Sequence, residues 1–249
     1  MKSRKGRILF SAACLLVLWQ LLASWIGYSF ILPPPLQVMG TMLDLLGQRV
    51  FYEALLATVA RSILALILAF VSAALLAWLS WKKQLFADLF APLFMIMRSV
   101  PNISYILLIL YWFSRDISSV LISFLILFPI IYQNLLEAWR DIDREYLNVL
   151  RIYPRSIGFV FFHVYLPLLR PAITASLCTG IAMAFKVGVM SEILGQVSFG
   201  VGRQMQLARL NFDLGLVMAW TGWIIIVLAV CDRLMKRAVR WLCMNRQEG

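Results

Sequence analysis

Long apolar runs broken by short polar segments set the pattern of this chain. The runs at about 8–28, 55–80, 89–113, 117–136, 171–194 and 214–234 each match or approach the roughly 20 residues a helix needs to cross a bilayer. Backbone groups in lipid must be satisfied within their own segment, so spans of this composition are helical. The pattern therefore predicts an all-α membrane protein with six transmembrane helices, forming a single transmembrane domain over 1–249. The second run is rich in Ala, Ser and Leu, which lets helices approach closely, so it is expected to be packed in protein rather than lipid. Pro101, inside the third run, predicts a kink that frees a carbonyl. The stiff segment Phe30-Ile-Leu-Pro-Pro-Pro-Leu36 ends one helix and leads to a short amphipathic one over about 38–46, lying at the interface.

The polar interruption from Asp141 to Pro167 breaks this pattern most sharply. Asp141 or Asp143 is placed to N-cap a helix containing Tyr146, Leu147, Val149, Leu150 and Ile152. Pro154 breaks that helix and suits the first position of a second short one, which carries Ile157, Val160 and Phe161 at i, i+3 and i+4. Leu166-Pro167 is expected to end the second helix and lead into the fifth run, which begins after Pro171. Presenting Phe159, Val160, Phe161 and Phe162 to water is unfavourable unless a partner covers them. Two short amphipathic helices joined by a turn make a plug for a groove on another protein. The other reading is a pair of helices lying on the lipid surface.

Composition narrows the class. The chain has 249 residues, is 62% hydrophobic and only 14% charged, far from a soluble average, which leaves no length for a large extra domain. A net charge of +11 raises the question of nucleic acid, but the basic residues are distributed as topology predicts. Lys2, Arg4, Lys5 and Arg7, Lys82-Lys83, Arg140 to Arg170 and the basic tail share one side, against Arg49, Arg115, Arg203 and Arg209 on the other. Positive residues favour the cytoplasm, so both termini are expected there, with membrane lipids and not nucleic acid as surroundings. Met1 to Arg7 before an apolar run also fits a signal peptide; the length of the run and the lack of an A-x-A-like site favour a retained span.

Chemistry is sparse. The single histidine, His163, and four cysteines without zinc or redox spacing predict no metal site. No H-E-x-x-H, G-x-S-x-G or G-x-x-x-x-G-K-[ST] pattern occurs, so no catalytic residue is predicted and ATP hydrolysis, if required, belongs to another chain. Three charged residues are candidates for a translocation path. Lys186 sits mid-way along the fifth run, where a charge costs at least ~2.5–3.5 kcal/mol on insertion scales. It either pairs inside the bundle or faces a path and favours an anionic solute. Glu192, about two turns further on, is either an interfacial carboxylate or a gate or partner contact. Arg98 snorkels to the interface, bonds carbonyls freed near Pro101, or lines the path.

The interrupting loop, about 138–168, resembles the Glu-Ala-Ala loop of permeases in binding-protein-dependent ABC importers, which are of the type I fold. The register is Asn148-Val149-Leu150, then Pro154, then Val164-x-Leu166-Pro167, with every spacing kept. Asn148 stands where that family has an acid that helps position the loop on the ATPase, and Pro154 where it has Gly. Leu32-Pro-Pro-Pro35, Thr58-Val-Ala-Arg61, Arg98-Ser-Val-Pro101, Ser191-Glu192-Ile-Leu-Gly195 and Gly200-Val-Gly202 resemble the nitrate, sulfonate and taurine permease subgroup. The resemblance implies a multi-pass subunit of the bacterial inner membrane, without enzymatic activity of its own, working with ABC ATPase subunits that hold ATP and Mg. It also implies a second permease copy and a soluble or lipid-anchored substrate-binding protein. The solute it implies is a sulfonate, taurine or nitrate, or alternatively a thiamine-pyrimidine precursor or other small heterocycle. An intramembrane enzyme, a subunit without a conduit and a secondary transporter are the rival classes.

Overall fold

The computed structural model of the chain describes residues 2–153 and 155–244. Among these, every regular element is helical. In chain order they are α1 (Lys2–Ile26), α2 (Pro35–Leu46), α3 (Arg49–Lys82), α4 (Gln84–Ser99), α5 (Asn102–Trp112) and α6 (Arg115–Arg140). There follow α7 (Arg144–Ile152), α8 (Ile157–Val160), a π-helical turn (Phe161–Tyr165), α9 (Leu166–Gly195), α10 (Val201–Leu210) and α11 (Leu214–Met244). Among the described residues, four stretches are long and apolar enough to cross a membrane: Arg49–Lys82, Arg115–Arg140, Gly158–Gly195 and Leu214–Leu234. Phe10–Ile26 and Gln84–Met97 are shorter apolar helices.

The third apolar run differs from its expectation of one kinked span. It is two helices, α4 and α5, separated at Val100-Pro101. Val100 is extended (φ −77°, ψ 128°) and so is Pro101 (φ −55°, ψ 132°). Proline supplies no N–H to the helical ladder and biases its predecessor away from helix, so the ladder stops rather than bends.

Helices α3, α6 and α9 form the packed centre. Along α3 the buried small residues Ala54, Thr58, Ser62, Ala65, Ala69, Ala73, Ala77 and Ser80 recur at three- or four-residue steps, one stripe of the helix. Facing it, Gly180 and Gly188 of α9 sit so close that an added Cβ would lie 2.8 Å from Leu66 Cδ1 and 2.5 Å from Ser62 Oγ. Between hydrocarbon chains and apolar helix surfaces there is little hydrophobic contrast, so this close van der Waals packing is what holds the spans. At one end, Trp81 stacks on Trp139 (4.7 Å) and Tyr165 packs edge-on to both. At the other, Phe51 stacks on Trp220 (5.5 Å), and Trp223 Nε1 donates to the Met42 carbonyl (3.1 Å), fastening α2 and α3 to α11.

Candidate functional site

The segment that the sequence reads as a candidate for docking lies at the Trp81–Trp139 end. Asp143 is the N-cap of α7, its Oδ1 accepting the Glu145 N–H at 3.1 Å, one of the two caps the sequence offered. Tyr146, Asn148, Val149 and Ile152 of this helix are exposed, as is Tyr153 just after it, and Leu150 is half-buried. Pro154 lies outside the described residues, as does the side chain of Ile157.

The second half of the segment departs from expectation. Leu166-Pro167 does not end a short helix: residues 158–195 run as one 38-residue helix into the membrane span. The π-turn explains how. Leu166 N–H bonds the Phe161 carbonyl, one residue further back than in an α-helix. Pro167 has no N–H to give, and the wider turn makes room for its ring where an α-turn would press it on a carbonyl. Pro171, expected before the fifth span, is inside it. Phe159 and Phe162 are exposed, Val160, Val164 and Leu166 half-buried, and Pro167 exposed. Phe161, 39% exposed, joins Trp78, Trp139, Leu166 and Leu169 in an apolar groove of about 410 Å³.

At the opposite end of the bundle, three sequence motifs, Thr58-Val-Ala-Arg61, Ser191-Glu192-Ile-Leu-Gly195 and Gly200-Val-Gly202, meet around one carboxylate, with Asp116 beside them. Glu192 is fully buried (0% exposed). Its Oε1 accepts from Arg61 Nη1 (2.8 Å), and its Oε2 from the Thr58 hydroxyl (2.8 Å) and the Gly202 N–H (2.9 Å). Arg61 Nη1 also donates to the Phe199 carbonyl (2.7 Å) and Nη2 to Asp116 Oδ1 (2.9 Å). Asp116 Oδ2 accepts from Ser198 Oγ (3.0 Å), and Thr58 Oγ1 accepts the Val201 N–H (2.9 Å). A charge taken out of water is tolerable only when paired and hydrogen-bonded, and here both carboxylate oxygens and both terminal guanidinium nitrogens are used.

The glycines are the counterpart of that charge. Gly200 has φ +149°, a region suited to glycine, and a Cβ there would meet the Glu192 carboxylate at 2.6 Å. A Cβ on Gly202 would meet Glu192 Cβ at 2.5 Å and the Val189 carbonyl at 2.7 Å. Beside the cluster, Ser119 Oγ and Ser191 Oγ lie 2.8 Å apart, joining α6 to α9. Arg61, which reads in sequence as an anchor at the end of the second span, is the hub of this cluster. Glu192 is enclosed in it and does not meet open water as an interfacial carboxylate would.

The family model described as binding-protein-dependent transport system inner membrane component matches residues 65–242. The chain belongs to this permease family. Among its relatives, a riboflavin transport system permease protein of Chloroflexus aurantiacus is 32% identical, covering 91% of this chain and 87% of the relative. A formylaminopyrimidine transport permease protein of Halalkalibacterium halodurans is 26% identical over 80% of the chain and 79% of its own length. A taurine transport system permease protein of Escherichia coli is 24% identical over 93% and 84%. The chain is thus a multi-pass permease subunit of a binding-protein-dependent ABC importer. Of this permease's path candidates, Lys186 is exposed on α9, with no ion-pair partner among the described residues. The side chain of Arg98 lies outside the described residues; its backbone is in α4, one residue before the end of the helix.

Proposed function

We propose that this permease crosses the membrane six times, counting α1 and the α4–α5 pair with the four long helices, and that both termini and the α7–π-turn segment are cytoplasmic. Two copies form the translocation path. Two ABC ATPases, which hold ATP and Mg, receive the docking segment, and a soluble or lipid-anchored binding protein delivers the solute from the other side. The observation that carries this is the apolar surface of the docking segment: Ile152 and Tyr153 are each 70% exposed and Phe162 57%. A helix-in-groove partner buries such a surface. ATP-driven closure of the ATPases then displaces the segment and shifts the spans between two openings, a two-state change driven by differential binding.

The solute we propose is a small anion such as a sulfonate, taurine or nitrate. Lys186, on a span and without an ion pair among the described residues, stabilises an anion passing close to it and is costly against lipid, which favours placing it on the path. A second reading, a small nitrogen heterocycle, is favoured by the solutes that two relatives are named for, riboflavin and formylaminopyrimidine. Uptake into proteoliposomes containing the permease, its ATPase and its binding protein separates them. With an anionic solute, Lys186→Met keeps the complex assembled and lowers ATP-driven uptake about tenfold. Undiminished uptake removes Lys186 from the path, and transport of heterocycles alone selects the second reading.

A further inference from the structure

The helix that starts in the docking segment does not stop until it reaches the buried cluster at the far end. From Gly158 to Gly195 it is 38 residues long, about 57 Å at ~1.5 Å per residue. Pro167 and Pro171 each remove one donor, so bending is confined to its first turns. Beyond Pro171 it has no proline and is seated on α3 at Gly180 and Gly188. Its last turn carries Glu192.

The chain beyond Gly195 has no helical continuity with α9. Gln196 closes the helix in the left-handed region (φ 47°), and a non-helical connector leads to Gly200 before α10 begins. Such a connector does not by itself fix the start of α10 on the end of α9. Buried Val201 joins the apolar cluster of Phe51 and Trp220, and side chains fix the start of the helix: Glu192 grips the Gly202 N–H, Thr58 the Val201 N–H, and Arg61 the Phe199 carbonyl. All three main-chain groups belong to the start of α10 or the residues leading into it. The two glycines let the backbone close on the carboxylate, and Asp116 of α6 ties the same guanidinium to a third span.

We infer that Glu192 and Arg61 are positioning residues that lock α10 to the end of α9, so that a displacement imposed on the docking segment reaches the opposite face of the membrane through one body. This rests on the importer reading above. In that reading α10 is the moving surface that meets the incoming solute or its binding protein, and the ATPases drive it through α9. An ion pair that served stability alone has no need to engage two main-chain groups at the start of α10, beside a third held by Thr58.

The test uses the whole transporter in proteoliposomes, with spin labels on Leu194→Cys and Leu210→Cys in a background cleared of native cysteines; both positions are exposed. In the otherwise wild-type chain the distance distribution between labels stays narrow and unchanged with and without ATP. Glu192→Gln, which keeps the size of the side chain but not its charge, broadens it. Gly202→Ala, which forces α10 off α9 with the carboxylate intact, does the same. In both variants the solute carried per ATP hydrolysed falls about fivefold or more, while hydrolysis itself stays within about twofold. Thr58→Val, which leaves the charge pair in place, provides the same readouts at smaller amplitude if either variant fails to assemble. A distance that shifts with ATP in the wild-type lock, or variants that keep the wild-type coupling ratio, overturns the proposal. Absence of any ATP-driven uptake by the wild-type transporter overturns the importer reading instead, and the lock is then judged on the distances alone.

Discussion

At the scale of single residues, the geometry separates side chains that were alike in sequence. Glu192 and Lys186 both stand as charges in the fifth apolar run, yet the Glu192 carboxylate accepts from three residues while Lys186 has no ion pair among the described residues. Ser62 shows the same sensitivity to position. Its Oγ is buried without a hydrogen-bond partner among the described residues and faces Gly188 of α9. A methyl group on Gly188 meets that oxygen at 2.5 Å and needs the helices to part. We expect Gly188→Ala to cost about 1–3 kcal/mol. Adding Ser62→Ala relieves the clash, because the next neighbour of the new methyl is Ser62 Cβ at an ordinary 3.7 Å, and removes an unsatisfied hydroxyl. Thermal unfolding in detergent checks this: the single variant melts early and the double variant recovers. A double variant no better than the single one places the strain elsewhere.

At the scale of elements, the helices of the polar segment 141–167 were legible in outline and not in their continuation. Asp143 caps α7; the local rule narrowed the choice to Asp141 or Asp143, and the backbone decided between them. The Leu166-Pro167 pair invites the opposite mistake, since proline usually marks a boundary. Here a π-turn absorbs it, and only the backbone path reveals that the docking residues and the span are one helix. Val160→Asp with Phe161→Asp places charge on the proposed docking face. The ATPase should then no longer co-purify, while the permease itself still folds because both residues lie outside its packed centre. Unchanged recovery of the ATPase would reject these residues as docking contacts. The interruption at Val100-Pro101 was legible only by half: a proline inside an apolar run is plain, but kink and break share the same sequence signal.

At the scale of the molecule, three tightly packed spans carry polar work at one end and aromatic work at the other. The Trp81, Trp139 and Tyr165 cluster and the Arg61, Asp116 and Glu192 cluster join the same helices at opposite ends. The distribution of Lys and Arg predicts which end faces the cytoplasm. In a background with all four native cysteines replaced, Phe212→Cys should react with an impermeant thiol reagent from outside intact cells, since Phe212 is 82% exposed beside α10. Arg240→Cys should react only after permeabilisation. The reverse pattern would invert the assigned topology and move the docking segment away from any cytoplasmic ATPase.

Sequence by itself determined the helical class, the small-residue composition of α3, a polar cap for α7 at Asp141 or Asp143, and the family. Each is written in local composition, in a period near 3.6 residues or in motif spacing, and needs no knowledge of distant neighbours. It also exposed Thr58, Arg61, Glu192, Gly200 and Gly202 as separate motifs. That they form one site was decided by tertiary structure, because Thr58 and Arg61 meet Glu192 across more than 130 positions of chain. Helix α10 escaped the hydrophobic pattern for a related reason: its buried positions, Val201, Gly202, Gln206 and Ala208, are too small or polar to read as an apolar face. Pairing across the bundle depends on the rotation of each helix about its own axis. Close packing at Gly180 and Gly188 sets that rotation, and no single helix encodes it alone.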